Sequence, residues 1–255
     1  MRKLVFFGLL VCSMVSKADY NSDEGVEDGR YSFELAISRP NFTAINFYSE
    51  IYGNTSWFPS FSYAYKPPQF SPWFDFDFGL KLSYYMTTGK PLVQDATTGD
   101  YVQEENAKIT LKLVPYELYA KFELVPFGKR YVTFSSWVGY EEMYYEEVRI
   151  LPDSTASKSS SSTSKTTKTR PKNEINSGWN KSLAFGFGVN LLLNHFEERP
   201  VRSLGRSMGL HYVYLTPYIE FVNAMSGGKT FISQQKVSPV EFSRTVYGLA
   251  FKFDT

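Results

Sequence analysis

The chain of 255 residues has a single cysteine, Cys12, and only two histidines, His195 and His211. So few thiol and imidazole groups exclude a disulfide scaffold and leave too few partners for a His/Cys metal centre. Charge of one sign is missing too: 27 basic residues face 26 acidic ones, for a net +1. The electrostatic footprint of a nucleic-acid binder is therefore lacking, and no nucleic-acid partner is expected. Beyond the first 18 residues no apolar run approaches the roughly 20 residues that a membrane-spanning helix requires. No glycine-rich phosphate loop is present, because Gly186 and Gly188 of "FGFG" sit inside an extended alternating segment. A Ser-His-acid arrangement needs a particular geometry, and no motif around either histidine points to one. Both histidines are read as structural residues near one rim, and the chain is read as neither an enzyme nor a cofactor carrier.

What the chain does have begins with "MRKLVFFGLLVCSMVSKADY". Arg2 and Lys3 precede an apolar run from Leu4 to Val15, followed by Ser16-Lys17-Ala18. This is the pattern of a secretory signal, residues 1–18, cut after Ala18. Cleavage would remove Cys12 and three basic residues but no acidic ones, leaving residues 19–255 with a net charge of about −2 and no thiol. These 237 residues fit one all-β domain.

Aromatic residues make up 18% of the chain, with 19 Tyr and 22 Phe, and they favour strands and membrane interfaces. The hydrophobic period is two. In "FDFDFGLKLSYYM", Phe74, Phe76, Phe78, Leu80, Leu82, Tyr84 and Met86 share one face. Asp75, Asp77, Gly79, Lys81, Ser83 and Tyr85 share the other. Seven further segments run from Arg30 to Ser38, Ser56 to Lys66, Lys108 to Leu124, Tyr131 to Arg149, Ser182 to Leu193, Val213 to Phe221 and Thr245 to Phe253. The segment from Lys108 changes parity, since Ile109, Leu111 and Leu113 alternate out of step with Tyr116, Leu118, Ala120, Phe122 and Leu124. That change predicts a bulge at Val114-Pro115. Pro217 has no N–H for the ladder and predicts a bulge or a local opening.

Connections after the second and fourth segments are about five residues long, whereas those after the first, third, fifth and seventh run to roughly 16 to 30. A short helix is expected in "FEERPVRSLGRSMG", near the short-turn edge. The tract 151–178, rich in Ser, Thr and Lys, is expected to be a disordered surface loop.

A soluble barrel would turn the apolar face inward. Here about 13 alternating residues at 3.4 Å, tilted near 40°, span roughly 33 Å, enough to cross a bilayer. The large residues lie on the apolar face, while Gly79, Ala184, Gly186, Gly188, Gly248 and Ala250 lie on the other, as a narrow eight-stranded interior demands. The expected fold is an all-β transmembrane antiparallel up-and-down barrel of about eight strands, with long extracellular loops and short periplasmic turns. Its lumen would hold Glu34, Lys66, Asp75, Asp77, Lys81, Glu117, Lys121, Glu123, Glu141, Glu220, Arg244 and Lys252. Mixed buried charges persist when paired, so these are read as a salt-bridged plug.

On this pattern, and on "LVPYELYAKFELVPF" and the terminal "YGLAFKF", the chain resembles the eight-stranded OmpA-type and OmpW-type outer-membrane barrels of Gram-negative bacteria. The resemblance implies contact with outer-membrane lipid and lipopolysaccharide, and with the outer-membrane insertion machinery, which reads a terminal aromatic. Here Phe253 is followed by Asp254-Thr255, a departure from that signal. No periplasmic peptidoglycan-binding domain is expected after the barrel, so that anchoring role is not implied. The expected role is structural or surface interaction, as a monomer, with a narrow small-solute or ion channel as the alternative and a lipid-modifying enzyme behind both. Glu141, Glu142, Glu146 and Glu147 cluster in "YEEMYYEEVR", as a solvated acidic rim or as oxygen ligands for Ca²⁺ or Mg²⁺.

Overall fold

Alternation along each extended segment becomes eleven strands in the computed structural model. It describes residues 31–43, 51–52, 57–67, 73–94, 100–104, 107–126, 131–150, 173–193, 210–231, 236–237 and 240–255. The strands are β1 (Tyr31–Phe42), β2 (Phe58–Tyr65), β3 (Phe74–Ser83), β4 (Tyr85–Gly89), β5 (Leu92–Gln94), β6 (Tyr101–Gln103), β7 (Lys108–Leu124), β8 (Val132–Ile150), β9 (Asn173–Leu192), β10 (Tyr212–Ala224) and β11 (Arg244–Asp254). β3 and β4 form one stave, because both pair with β7 in the same register. The order β3-β2-β1-β11-β10-β9-β8-β7 is closed by the β3–β7 pairing, giving an antiparallel barrel of eight staves. Closure leaves no unpaired edge around the ring. β5 and β6 make a separate small hairpin in the connection between β4 and β7.

The expected bulge at Val114-Pro115 does not form. β7 pairs with β8 in one unbroken register from Lys108↔Ile150 to Leu124↔Phe134, through Pro115↔Met143. On its other side the ladder is interrupted instead, between Leu82↔Tyr116 and Tyr85↔Leu113, opposite the proline that has no N–H to donate. The Tyr84 N–H turns to the Pro59 carbonyl of β2 at 3.1 Å. Since no residue is inserted, Ile109, Leu111 and Leu113 keep the inward parity of Glu117, Lys121 and Glu123, and all three are buried. The parity change is thus a change in the chemistry of the interior along a regular strand.

Pro217 gives the local opening and no bulge. β10 keeps register with β11 throughout, including Pro217↔Leu249, but its pairing with β9 lapses between Leu215↔Leu191 and Tyr218↔Gly188. Side chains bridge the gap: the Thr216 hydroxyl donates to Asn190 Oδ1 at 2.8 Å, and Asn190 Nδ2 donates to Thr133 Oγ1 at 2.9 Å.

β8 and β9 pair as far as Ile150↔Asn173. Positions 173–178, expected as loop, are therefore strand, drawn out of the polar tract by the length of β8 that they pair with. The expected signal at residues 1–18, the polar tract 151–172, the expected helix at 196–209 and His195 lie outside the described residues.

Outward positions carry Phe, Leu and Val. Phe78 is 56% exposed, Leu80 45% and Phe187 57%, while their sequence neighbours Asp77 and Gly186 face inward. Exposed Tyr31, Tyr65, Trp73 and Tyr131 ring the short-turn end, and Trp57 and Tyr84 mark the other. An apolar skin between two sets of interfacial aromatics is what a bilayer requires of a barrel exterior.

Candidate functional site: the barrel lumen

Inward-pointing side chains decide what the barrel can pass or hold. All twelve charged positions singled out above are on inward parity: ten are buried, and Glu34 and Lys81 are half-buried. They are not one cluster. The short-turn end holds Lys66, Asp75, Asp77, Glu123 and Lys252. Lys66 Nζ lies 2.5 Å from Asp254, a residue outside the twelve. Lys252 donates to Glu123, which also accepts from Thr133, and lies 4.0 Å from Asp77 and 3.7 Å from Asp254. The Lys252 ammonium also sits 5.4 Å from the Tyr214 ring centre.

In the middle, Lys81 bridges Glu117 at 3.0 Å and Glu220 at 2.6 Å. Lys121 pairs with Glu34 and sits between the Tyr119 and Trp137 rings, 5.7 and 5.8 Å from their centres. Beside them is a cavity of about 30 Å³ lined by Lys81, Tyr119, Lys121, Trp137, Thr216 and Tyr218. That volume accepts on the order of one or two waters. Above it, Arg244 makes a two-pronged ion pair with Glu141 and lies 5.5 Å from the Phe58 ring centre. Such pairs hold buried charge only while both partners are present.

Phe58 begins the second half of the interior. Phe42, Phe58, Tyr85, Ile109, Leu111, Leu113, Met143, Tyr145 and Phe242 form a buried apolar cluster at the long-loop end. Tyr52, in the connection after β1, packs into it and donates to Glu147 at 2.9 Å. Burial, with the Glu147 carboxylate beside it, pushes the Tyr52 hydroxyl far above the usual phenol range. The lumen is therefore ionic towards one end and oily towards the other.

Sequence reasoning missed Asp254, the aromatic spacers Tyr119, Trp137 and Tyr218, and the apolar cap. Asp254 was legible: it shares parity with Lys252 but was read only as a flaw after the terminal aromatic. The aromatics are matched to glycines across the strands, at Gly79↔Tyr119, Gly186↔Trp137 and Gly248↔Tyr218. A Cβ on Gly186 would come within 2.0 Å of the Trp137 ring.

The four glutamates of β8 are divided by parity. Glu141 faces the lumen, Glu142 faces out and accepts from Tyr116 and Tyr140, Glu146 pairs with Lys112 at 2.6 Å, and Glu147 meets Tyr52. They do not converge on one metal site, and among the described residues no three His, Cys, Asp or Glu form a group suited to a metal ion. His211 lies at the short-turn end, exposed, its backbone N–H donating to the Asp254 carbonyl at 2.8 Å.

Architecture and site together define the class. A closed eight-stave barrel with a lipid-compatible skin, interfacial aromatics and a charged lumen is an outer-membrane-type β-barrel, and this chain has that fold. No family model matches the chain, and no curated protein matches it in sequence. Among solved structures it is similar to Ail, the attachment invasion locus protein of Yersinia pestis, at 12% identity and a TM-score of 0.40, over 90% of this chain and 99% of that one. Neisserial surface protein A aligns at 10% identity and a TM-score of 0.43, over 91% and 100% of the two chains. The outer membrane protein OprG from Pseudomonas aeruginosa aligns at 10% identity and 0.41, over 91% and 99%.

Proposed function

We propose that the chain is exported by a signal cut after Ala18 to the outer membrane of a Gram-negative bacterium, where it is a monomeric barrel with a sealed lumen. Its role is structural or surface interaction, carried by the exterior and the long loops. Outer-membrane lipid, lipopolysaccharide and the insertion machinery are its partners. The observation that carries this reading is double closure: buried ion pairs fill the lumen from Lys66 to Arg244, and an apolar cluster caps it from Phe58 to Tyr145. An ion entering from the short-turn end would have to separate paired charges and then pass a buried, largely apolar cluster, both costly in a low-dielectric interior.

Planar-bilayer recording of the purified barrel tests this. The expected result is no stepwise conductance from the native protein or from Asp77→Asn and Lys81→Gln variants. A native conductance whose size or selectivity changes on substituting Asp75, Asp77 or Lys81 would overturn the sealed lumen in favour of a channel. Amino-terminal sequencing of the exported protein should start at Asp19.

A further inference from the structure

The outward face of β9 carries Leu191, Phe187, Phe185 and Leu183, all exposed, and then changes character at Lys181. Lys181 thus marks the edge of the apolar skin at the long-loop end. The chain following β10 returns to this level, because the Met225 N–H donates to the Lys181 carbonyl at 2.8 Å. It then turns at Gly227 and Gly228, with φ of 74° and 76°, a left-handed conformation that side chains resist. Gly228 has a second reason to lack a Cβ. An added carbon would come 3.2 Å from the Lys181 ammonium, which lies against the turn.

Immediately after the turn, Lys229 and Lys236 form an isolated antiparallel bridge, so two exposed lysines stand directly opposite each other. Like charges in that position repel. Among the described residues, none of Lys181, Lys229 and Lys236 makes an ion pair or a side-chain hydrogen bond. The carboxylate across the strand from Lys181, Glu142, is fully buried and accepts from the Tyr116 and Tyr140 hydroxyls. Beside the lysines the surface is apolar. Phe231 is 75% exposed, lies edge-on to the Tyr140 ring at 6.4 Å, and is held by its N–H donating to the Tyr140 hydroxyl; Met225 is also exposed.

We propose that Lys181, Lys229 and Lys236 form a docking site for the phosphorylated headgroup of an outer-leaflet lipid, with Phe231 and Met225 against the upper part of its acyl chains. The site rests on the outer-membrane reading above, which puts this edge of the skin at the lipid headgroups. One anionic phosphate would relieve the repulsion of the opposed lysines and engage the third. The exposed phenyl beside it selects an amphiphile over a free anion, because a soluble anion would gain nothing from that ring. Cationic side chains at a membrane surface attract anionic lipid, and aromatic residues settle at the headgroup boundary.

The test uses the full-length barrel, purified in a neutral detergent and mixed with bis-phosphorylated lipid A, with lipid A stripped of its phosphates, or with phosphatidylcholine. Bound lipid is counted by native mass spectrometry. The native protein should retain bis-phosphorylated lipid A in preference to the other two. Lys181→Gln, Lys229→Gln and Lys236→Gln combined should lower that retention by about tenfold or more, and the corresponding triple arginine variant should keep it. Excess inorganic phosphate should not displace the lipid. Equal retention by the native and glutamine variants, equal retention of the dephosphorylated lipid, or displacement by free phosphate would each overturn the proposal. Heat-modifiable gel mobility, recorded on every variant, shows whether the barrel is folded. A chain that folds only without lipid or detergent would refute the membrane reading itself, whereas a folded membrane barrel with no phosphate preference would refute this site alone.

Discussion

At the scale of single residues, the lumen is governed by the cost of leaving a charge alone. Arg244 and Glu141 are both buried and grip each other through two hydrogen bonds, so removing one leaves the other without its partner. Arg244→Met should destabilise the barrel by about 3–5 kcal/mol in urea unfolding from lipid vesicles. Adding Glu141→Leu should restore most of that loss, because two apolar groups in place of a buried pair are close to neutral. A single variant as stable as the native barrel would mean that water reaches this pair freely. Asp254 belongs to the same scale. Its carboxylate ties Lys66 to the end of β11, so the residue after the terminal aromatic serves the lumen.

At the scale of elements, small residues on one stave make room for large ones on the next. Gly186 lies across from Trp137, and Gly186→Val would drive two β-carbon substituents into the indole. The expected effect is destabilisation by about 1–3 kcal/mol or more, seen as a lowered urea midpoint; Trp137→Ala in the same chain should relieve the clash. β7 shows a second rule. Because its register is continuous, Leu113 points into the cap and is fully buried, and Leu113→Ala should cost about 2–5 kcal/mol. Had a bulge reversed the parity there, Leu113 would face lipid and its truncation would cost little, so the measured stability separates the two geometries.

At the scale of the whole molecule, the exterior and the lumen are distinguished by what reaches them. Cysteines placed one at a time from Phe74 to Met86 and probed with a membrane-impermeant thiol reagent should be protected at Phe76, Phe78, Leu80 and Leu82 by lipid. Asp77 and Lys81 should also be protected, by the closed lumen. Free labelling at Asp77 and Lys81 would open the lumen, and labelling at the phenylalanines in a detergent-free fraction would remove the protein from the membrane.

Period two was enough to assign each of the twelve charges to the inward face, because in an extended chain parity alone chooses the side. The eight staves, too, were legible as alternating runs between turn-rich gaps. Parity does not say which charges meet: Lys81 reaches Glu117 and Glu220 across 36 and 139 residues of sequence, and only ring closure and stagger bring them together. Nor does a pattern of apolar and polar residues say whether a change of phase is a bulge or a change of lining. The sequence by itself determined the eight staves, their two faces and the lipid-compatible skin, since these follow from local geometry and transfer to water or oil. Only the tertiary structure decided the pairing of charges, the apolar cap and the lysine turn at the rim, because each depends on how closure of the ring sets staves and connections against one another.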